Sequence, residues 1–246
     1  MPNWVRNVVT VSKDTMNKIK EKYFTEGVLD FEKISPMPRT LELEEGSITE
    51  RAIYYSILQK NEEKRDEIIN LLSKTEATLD KNYWAKLKRY IDAGRFENIE
   101  KYAKDYEPDN YALDLGINTL EELGDMYINN IKEYGHATWY DWCIENWGTK
   151  WGVSRFSCNE NTMIFETAWS TPDPIFEKLS KEFPNDYIEL KYADECYSNY
   201  NNGQLTFRDG LIDANVELDE DFAAEIWDET IENEEKETDI VDDLFE

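Results

Sequence analysis

The stretch MIFETAWSTPDPIFEKLSKEFPNDYIELKYA, residues 163–193, reads as strand, helix, strand. Met163, Phe165, Thr167 and Trp169 alternate with Ile164, Glu166 and Ala168, the period of two that a strand requires. Ser170 and Pro172 then suit a helix start, where a missing N–H costs nothing. Ile175, Phe176, Leu179 and Phe183 follow at helical spacing, and Pro184 stops the run. From Tyr187 to Ala193 the period returns to two, with Ile188, Leu190 and Tyr192 inward against Glu189 and Lys191.

Working outward, Trp151–Ser157 pairs with Met163–Trp169 as a hairpin. The N-terminus carries a second strand and helix. Trp4–Ser12 is rich in Val and Thr, and Ser12 caps a helix bearing Met16, Ile19 and Tyr23. Gly27 breaks that helix. Val28–Ile34 reads as extended and is stopped by Pro36 and Pro38. Gln204–Phe207 reads as an edge strand.

Ser47 to about Tyr106 is helical in period. Ile48, Ala52 and Tyr55 share one face, and Ile68, Leu71 and Leu72 another. Tyr83, Trp84, Leu87 and Ile91 make a third helix closed by Gly94, and Phe96, Ile99, Ala103 and Tyr106 a fourth. Thr119 and Glu122 have capping-box spacing before Leu120, Leu123, Tyr127, Ile131 and Tyr134, with Gly135 as the C-terminal stop. A short helix follows over Thr138–Asn146. The order gives an α+β sandwich: an antiparallel sheet in a split βαβ arrangement, helices on one face, and a helical insertion. The boundaries read 1–46 and 138–212 for the two parts of the sheet domain, 47–137 for the insertion, and 213–246 for an acidic tail.

Charge is the second decisive feature. The chain has 246 residues and a formal net charge of -27. Residues 1–106 hold 19 basic and 19 acidic side chains, residues 107–216 hold 7 and 20, and residues 217–246 hold 1 and 15. So lopsided a field disfavours nucleic acid and anionic membrane and favours a basic partner. The 8 Trp and 15 Tyr argue for a folded body despite the low mean hydropathy, with one disordered acidic end. No run approaches the roughly 20 apolar residues of a spanning helix, and no signal peptide is expected at Met1–Arg6. Cys143, Cys158 and Cys196 lack CxxC spacing and suit free thiols in a cytoplasmic setting.

Three segments carry a family resemblance: Leu29–Pro38, the tryptophan-rich Trp139–Trp151, and Phe165–Pro172 with Lys191–Glu195. Together they resemble the YubB-type ferredoxin-like proteins of plasmids and bacteriophages, over roughly residues 1–212. The resemblance implies a ferredoxin-like fold and a mobile-element origin. It implies no activity.

No catalytic motif stands out. His136 is the only histidine, and no GxSxG elbow accompanies it or Cys143; a helix C-terminal dipole partner is the plainer role. Asp213–Asp219 alternates oxygen ligands but lacks the glycine and closing glutamate of a calcium loop. No metal or other cofactor is expected. Asp194 and Glu195 are adjacent on a strand and so point to opposite faces, which suits acid–base work badly.

The candidate binding residues are Trp142, Glu145, Trp147, Lys150, Trp151, Asp194, Glu195, Phe222, Trp227, Leu244 and Phe245. Trp142 and Trp147 read more readily as core filling at a helix–strand junction, because large aromatics bury 150–250 Å² each. Phe222, Ile226 and Trp227 fall at helical spacing within the acidic tail. The ending Asp242–Phe245 weakly resembles the Leu-Phe peptides that dock on bacterial sliding clamps.

The expectation is a binding protein rather than an enzyme. Its acidic surface would mimic nucleic acid toward a basic host protein, itself a nucleic-acid binder of a defence system, and inhibit it. The alternatives are a single-strand nucleic-acid binder using the sheet and its aromatics, and an enzyme with an unfamiliar site. Self-association stays open.

Overall fold

A computed structural model describes residues 3–73, 89, 97–197, 201–216 and 220–228. In chain order the elements are β1 Trp4–Thr10, α1 Lys13–Tyr23, β2 Phe24–Thr25, β3 Val28–Leu29, α2 Phe31–Ile34, a 3-10 turn Arg39–Leu41, α3 Ser47–Gln59, α4 Glu62–Leu72, α5 Glu97–Lys104, α6 Asn110–Asp114, α7 Leu120–Tyr134, α8 Trp139–Trp147, β4 Ser154–Cys158, β5 Thr162–Ala168, α9 Asp173–Glu182, β6 Ile188–Asp194, β7 Asn202–Arg208, β8 Leu211–Val216 and α10 Glu220–Asp228. The chain divides into two units, Met1–Pro36 with Cys143–Glu246, and Met37–Trp142. The sequence reading places the insertion at 47–137; the chain leaves the first unit at Pro36 and returns at Cys143, inside α8.

The first unit is built on one sheet in the order β4-β5-β1-β6-β7-β8, with every neighbouring pair antiparallel. β1 is central: Val8 pairs with Ile164 on one side and Lys191 on the other. Two strand–helix–strand crossovers, β1-α1-β4 and β5-α9-β6, interleave so that β4, β5, β1 and β6 lie second, third, first and fourth, the split βαβ arrangement. Strand pairing fixes which side chains share a face. Val5, Asn7 and Val9 point one way and are buried with Met163, Phe165, Leu190 and Phe207. On that face the rings of Phe24, Phe156, Phe165, Phe176 and Phe207 form a row with successive centroids 5.3, 6.4, 6.3 and 6.2 Å apart. Each fully buried ring contributes about 1.5–3 kcal/mol by leaving water. The two crossover helices are joined at their ends, where Lys22 Nζ meets Glu182 at 2.8 Å and the Tyr23 hydroxyl donates to the same carboxylate.

A buried polar cluster sits among these apolar side chains. Asn7 Nδ2 donates to Val5 O at 2.9 Å and to Thr167 Oγ1 at 2.8 Å, and Asn7 Oδ1 accepts from Thr171 Oγ1 at 2.7 Å. The cluster ties the central strand to the turn that leads into α9.

Three local expectations change. Val28–Ile34 is not one extended run: Asp30 accepts the Glu32 N–H at 3.0 Å and so caps α2, ending β3 after two residues. Gln204–Phe207 is not at the edge. Asp209 and Gly210 adopt left-handed backbone (φ 48 and 76), the geometry of a tight hairpin turn, and so add β8 outside β7. The acidic end is not wholly a solvated extension. Residues 213–216 belong to β8, and α10 follows. Ala223 and Ile226 of α10 are buried against Val8, Ile164 and Ala193, with Phe222 and Trp227 packed alongside. Val8 and Ile164 point away from the crossover helices, so α10 covers the opposite face of the sheet. Residues 229–246 lie outside the described residues.

The second unit is helical. Its core holds Ala52, Ile53 and Ile57 of α3, Ile68 and Leu72 of α4, and Leu120, Leu123, Tyr127 and Ile131 of α7. α7 has the expected capping box between Thr119 and Glu122, and ends at Gly135 with φ 81. α3 and α7 approach closely at Gly124, where a Cβ would stand 2.0 Å from Ala52 O. Beside that contact Ser56 Oγ donates to Asp125 Oδ1 at 2.5 Å, and Lys60 Nζ reaches Glu121 at 3.0 Å and Asp125 at 2.9 Å. The helix expected around Tyr83–Ile91 lies, apart from Arg89, outside the described residues. Among the described residues no helix is long and apolar enough to cross a membrane.

Candidate functional site

The aromatic segment Trp139–Trp151 separates into core and surface. Trp142 and Trp147 are buried. Trp147 Nε1 donates to Ser35 O at 2.9 Å, and its ring meets Phe31 edge-on at 6.0 Å. Gly148 follows with φ 80, in a space where a Cβ would lie 2.6 Å from Pro174 Cδ and 2.8 Å from Asp173 Oδ1. Both tryptophans therefore have a packing role. Glu145, on the same helix, is exposed.

Lys150 and Trp151 belong with a different group. Lys150 Nζ lies 4.5 Å from the centre of the Trp151 ring, and that ring stands 6.5 Å from Trp4. Trp4 begins β1, and its carbonyl accepts the Glu195 N–H at 2.9 Å. The Trp169 N–H donates to Asn3 O at 2.9 Å. Asn201 joins the two turns that flank this strand end: its Nδ2 donates to Trp169 O at 3.0 Å, and its carbonyl accepts the Asp194 N–H at 3.1 Å. The fold thus gathers Trp4, Trp151, Trp169, Glu195 and Tyr197 at one end of the sheet. Trp169 and Tyr197 are exposed, at 51% and 44%. Sequence reasoning missed the exposed Trp169 and the half-buried Trp4 as members of this group, because both fit the alternation of a buried strand.

Asp194 and Glu195 separate as their adjacency requires. Asp194 is buried, and its Oδ1 accepts the Cys196 N–H at 2.8 Å, so it shapes the turn. Glu195 is exposed. Trp227 Nε1 donates to the carbonyls of Ala193 and Asp194, both at 3.1 Å, and Arg6 lies 5.6 Å from the Trp227 ring centre. Phe222 is half-buried on the same helix. Leu244 and Phe245 lie outside the described residues.

Glu166 faces the same side of the sheet as Arg6, its pairing partner on β1, and is nearly buried. Burial raises its carboxyl above the usual glutamate value, partly offset by Arg155, whose Nη1 is 2.9 Å from Oε2. Burial pushes the Cys143 thiol up to about 12, which keeps it protonated and unreactive at neutral pH. His136 is half-buried just beyond the end of α7. Asp213–Val216, the first part of the Asp213–Asp219 run of alternating oxygen ligands, lies in the edge strand β8.

The interleaved crossovers and the strand order define the first unit as a ferredoxin-like α+β sandwich. Residues 146–242 match the family model described as the ferredoxin-like domain in Api92-like protein. That span takes in β4 through α10, so the tail helix lies inside the matched domain. A crystal structure of a protein api92 from Yersinia pseudotuberculosis is also matched, at 14% identity and a TM-score of 0.38, covering 89% of this chain and 98% of that one. No curated protein matches.

Proposed function

We propose that this chain works by binding: it presents a carboxylate-rich surface to a basic protein that otherwise holds nucleic acid, and blocks it. A mobile-element origin and a host-defence target are the finer form of the same reading.

One observation supports it over direct nucleic-acid binding. A ferredoxin-like sheet that stacks bases needs an open face bearing aromatic and basic side chains. Here α10 lies on that face, and its outer residues Asp221, Glu225 and Asp228 are exposed acids. Arg6, a cation on the sheet that could meet a phosphate, is engaged by the Trp227 ring and by the field of Glu166. A strand of RNA or DNA approaching this face would meet fixed negative charge, which opposes association at any moderate salt.

The test is affinity capture from host lysate at low and at high salt, with filter binding of labelled single-stranded oligonucleotides alongside. The reading expects basic nucleic-acid-binding proteins to be retained at low salt and released at high salt, with no oligonucleotide retained. Tight oligonucleotide binding would favour the sheet-based alternative.

A further inference from the structure

Among the described residues, five other than glycine hold a left-handed backbone: Glu26, Arg155, Trp169, Tyr197 and Asp209. Three have local reasons. Glu26 and Asp209 precede glycines in tight hairpin turns, and Arg155 lies where the register of β4 against β5 shifts. Trp169 (φ 73) lies in no hairpin turn or register shift, and Tyr197 (φ 52) ends the turn from Asp194; bulky side chains disfavour this region at both. Both residues are also about half exposed, although aromatic surface gains most from burial. Two unfavourable features thus coincide at two residues. Asn201 links their turns, through Trp169 O on one side and the Asp194 N–H on the other, and the Tyr197 N–H closes its turn on Asp194 O at 3.0 Å. A strained backbone holding exposed aromatics is an arrangement that a binding role explains and packing does not.

We propose that Trp169 and Tyr197 are aromatic platforms for arginine side chains of the basic partner, with the exposed Glu195 as the neighbouring carboxylate. The proposal rests on the reading above and names the contact that makes it specific. The partner's chemistry follows from charge: a chain of net charge -27 draws cationic protein, and a guanidinium stacks flat on an indole or phenol face while pairing with a carboxylate. Diffuse carboxylate attraction is screened by salt, whereas cation–ring contact acts at short range and survives it. Such platforms would let an acidic surface discriminate among cations.

The experiment measures fluorescence anisotropy of a labelled oligo-arginine peptide on the full chain at about 0.15 M salt, where charges beyond ~8 Å are screened. The parent, Trp169→Gly, Tyr197→Ala, Trp169→Tyr and a variant neutralised on α10 (Asp221→Asn, Glu225→Gln, Asp228→Asn) are compared. Trp169→Gly is expected to bind about tenfold more weakly. It should melt no lower than the parent, because glycine relieves the left-handed strain. Trp169→Tyr should keep most of the affinity, and an oligo-lysine peptide should bind the parent more weakly than oligo-arginine. Equal affinity for the parent and both ring-deleted variants, with loss only on neutralising α10, would overturn the platform and leave the acidic reading standing. Failure of the parent to bind the peptide even at low salt would overturn that reading itself. Self-association of the parent that Trp169→Gly abolishes would make a second copy the occupant and overturn the assignment to a basic partner.

Discussion

Arg6 on the first strand stands 5.6 Å from the centre of the Trp227 ring on the last described helix. The contact pins an acidic helix to the sheet face that a nucleic-acid binder would leave open. Trp227 adds two hydrogen bonds to strand carbonyls, and Ala223 and Ile226 add buried apolar contact. Trp227→Ala is therefore expected to cost about 2 kcal/mol, below the full-core range because the ring is half-buried. It should also uncover Val8, Ile164 and Ala193. A lower urea midpoint together with increased binding of a hydrophobic dye checks this; an unchanged midpoint would mean that α10 is not held by this residue.

Gly124 makes the close approach of α3 and α7 in the helical unit. Alanine is the better helix former by about 1 kcal/mol, so propensity alone favours Gly124→Ala. The added methyl would meet the Ala52 carbonyl, which is backbone and cannot swing aside. Overpacking should win, giving a net loss of about 1–3 kcal/mol. Denaturant unfolding measures it, and a gain in stability would contradict the close contact.

Asn7 is wholly buried and bonds Val5, Thr167 and Thr171 together. Asn7→Ala leaves two hydroxyls inside the sheet–helix interface with one fewer partner each. The expected loss is about 2–3 kcal/mol, larger than a cavity of that size alone would produce. Thermal unfolding of Asn7→Ala beside Thr171→Val, which removes one hydroxyl from the same cluster, reads the difference; Thr171→Val should cost less.

Glu166 gives a pH signature. Its carboxyl is raised above 4.5, chiefly by burial, with Arg155 opposing. The folded state therefore holds this proton more tightly than the unfolded state. The resulting stabilisation is fully present below the unfolded value and is lost as pH rises through the folded value. Glu166→Gln removes that dependence. The stability difference between variant and parent should move in favour of the variant as pH rises from about 4.5 toward neutrality. A difference that does not change with pH would contradict the assignment.

Much of the sheet domain was readable in the residues. The period of two in Met163–Ala168 and Ile188–Ala193, the helix between them, and the stops at Gly135 and Pro184 follow from local chemistry, and each element lies within a residue or two of expectation. β8 was missed, because its short run Leu211–Val216 shows no clear alternation. The helical spacing of Phe222, Ile226 and Trp227 was visible, but the surrounding acids read as a solvated tail and gave no sign that α10 packs on the sheet. Pairing with β7 and packing on Val8 are tertiary events that supply the missing stability. The sheet-end cluster was half visible. Lys150, Trp151 and Glu195 were singled out, but Trp4 and Trp169 fit a strand pattern, and only the left-handed backbone at Trp169 turns its ring to the surface.

The central claim is that carboxylates, held on a rigid scaffold, recognise a basic protein. Its most direct test is parallel affinity capture from host lysate at about 0.05 M salt, using the parent and a variant carrying Glu195→Gln, Asp221→Asn, Glu225→Gln and Asp228→Asn, with circular dichroism to verify that both are folded. The account predicts that the parent retains basic nucleic-acid-binding proteins and that the variant retains markedly less of them. Identical recovery by the two would contradict it.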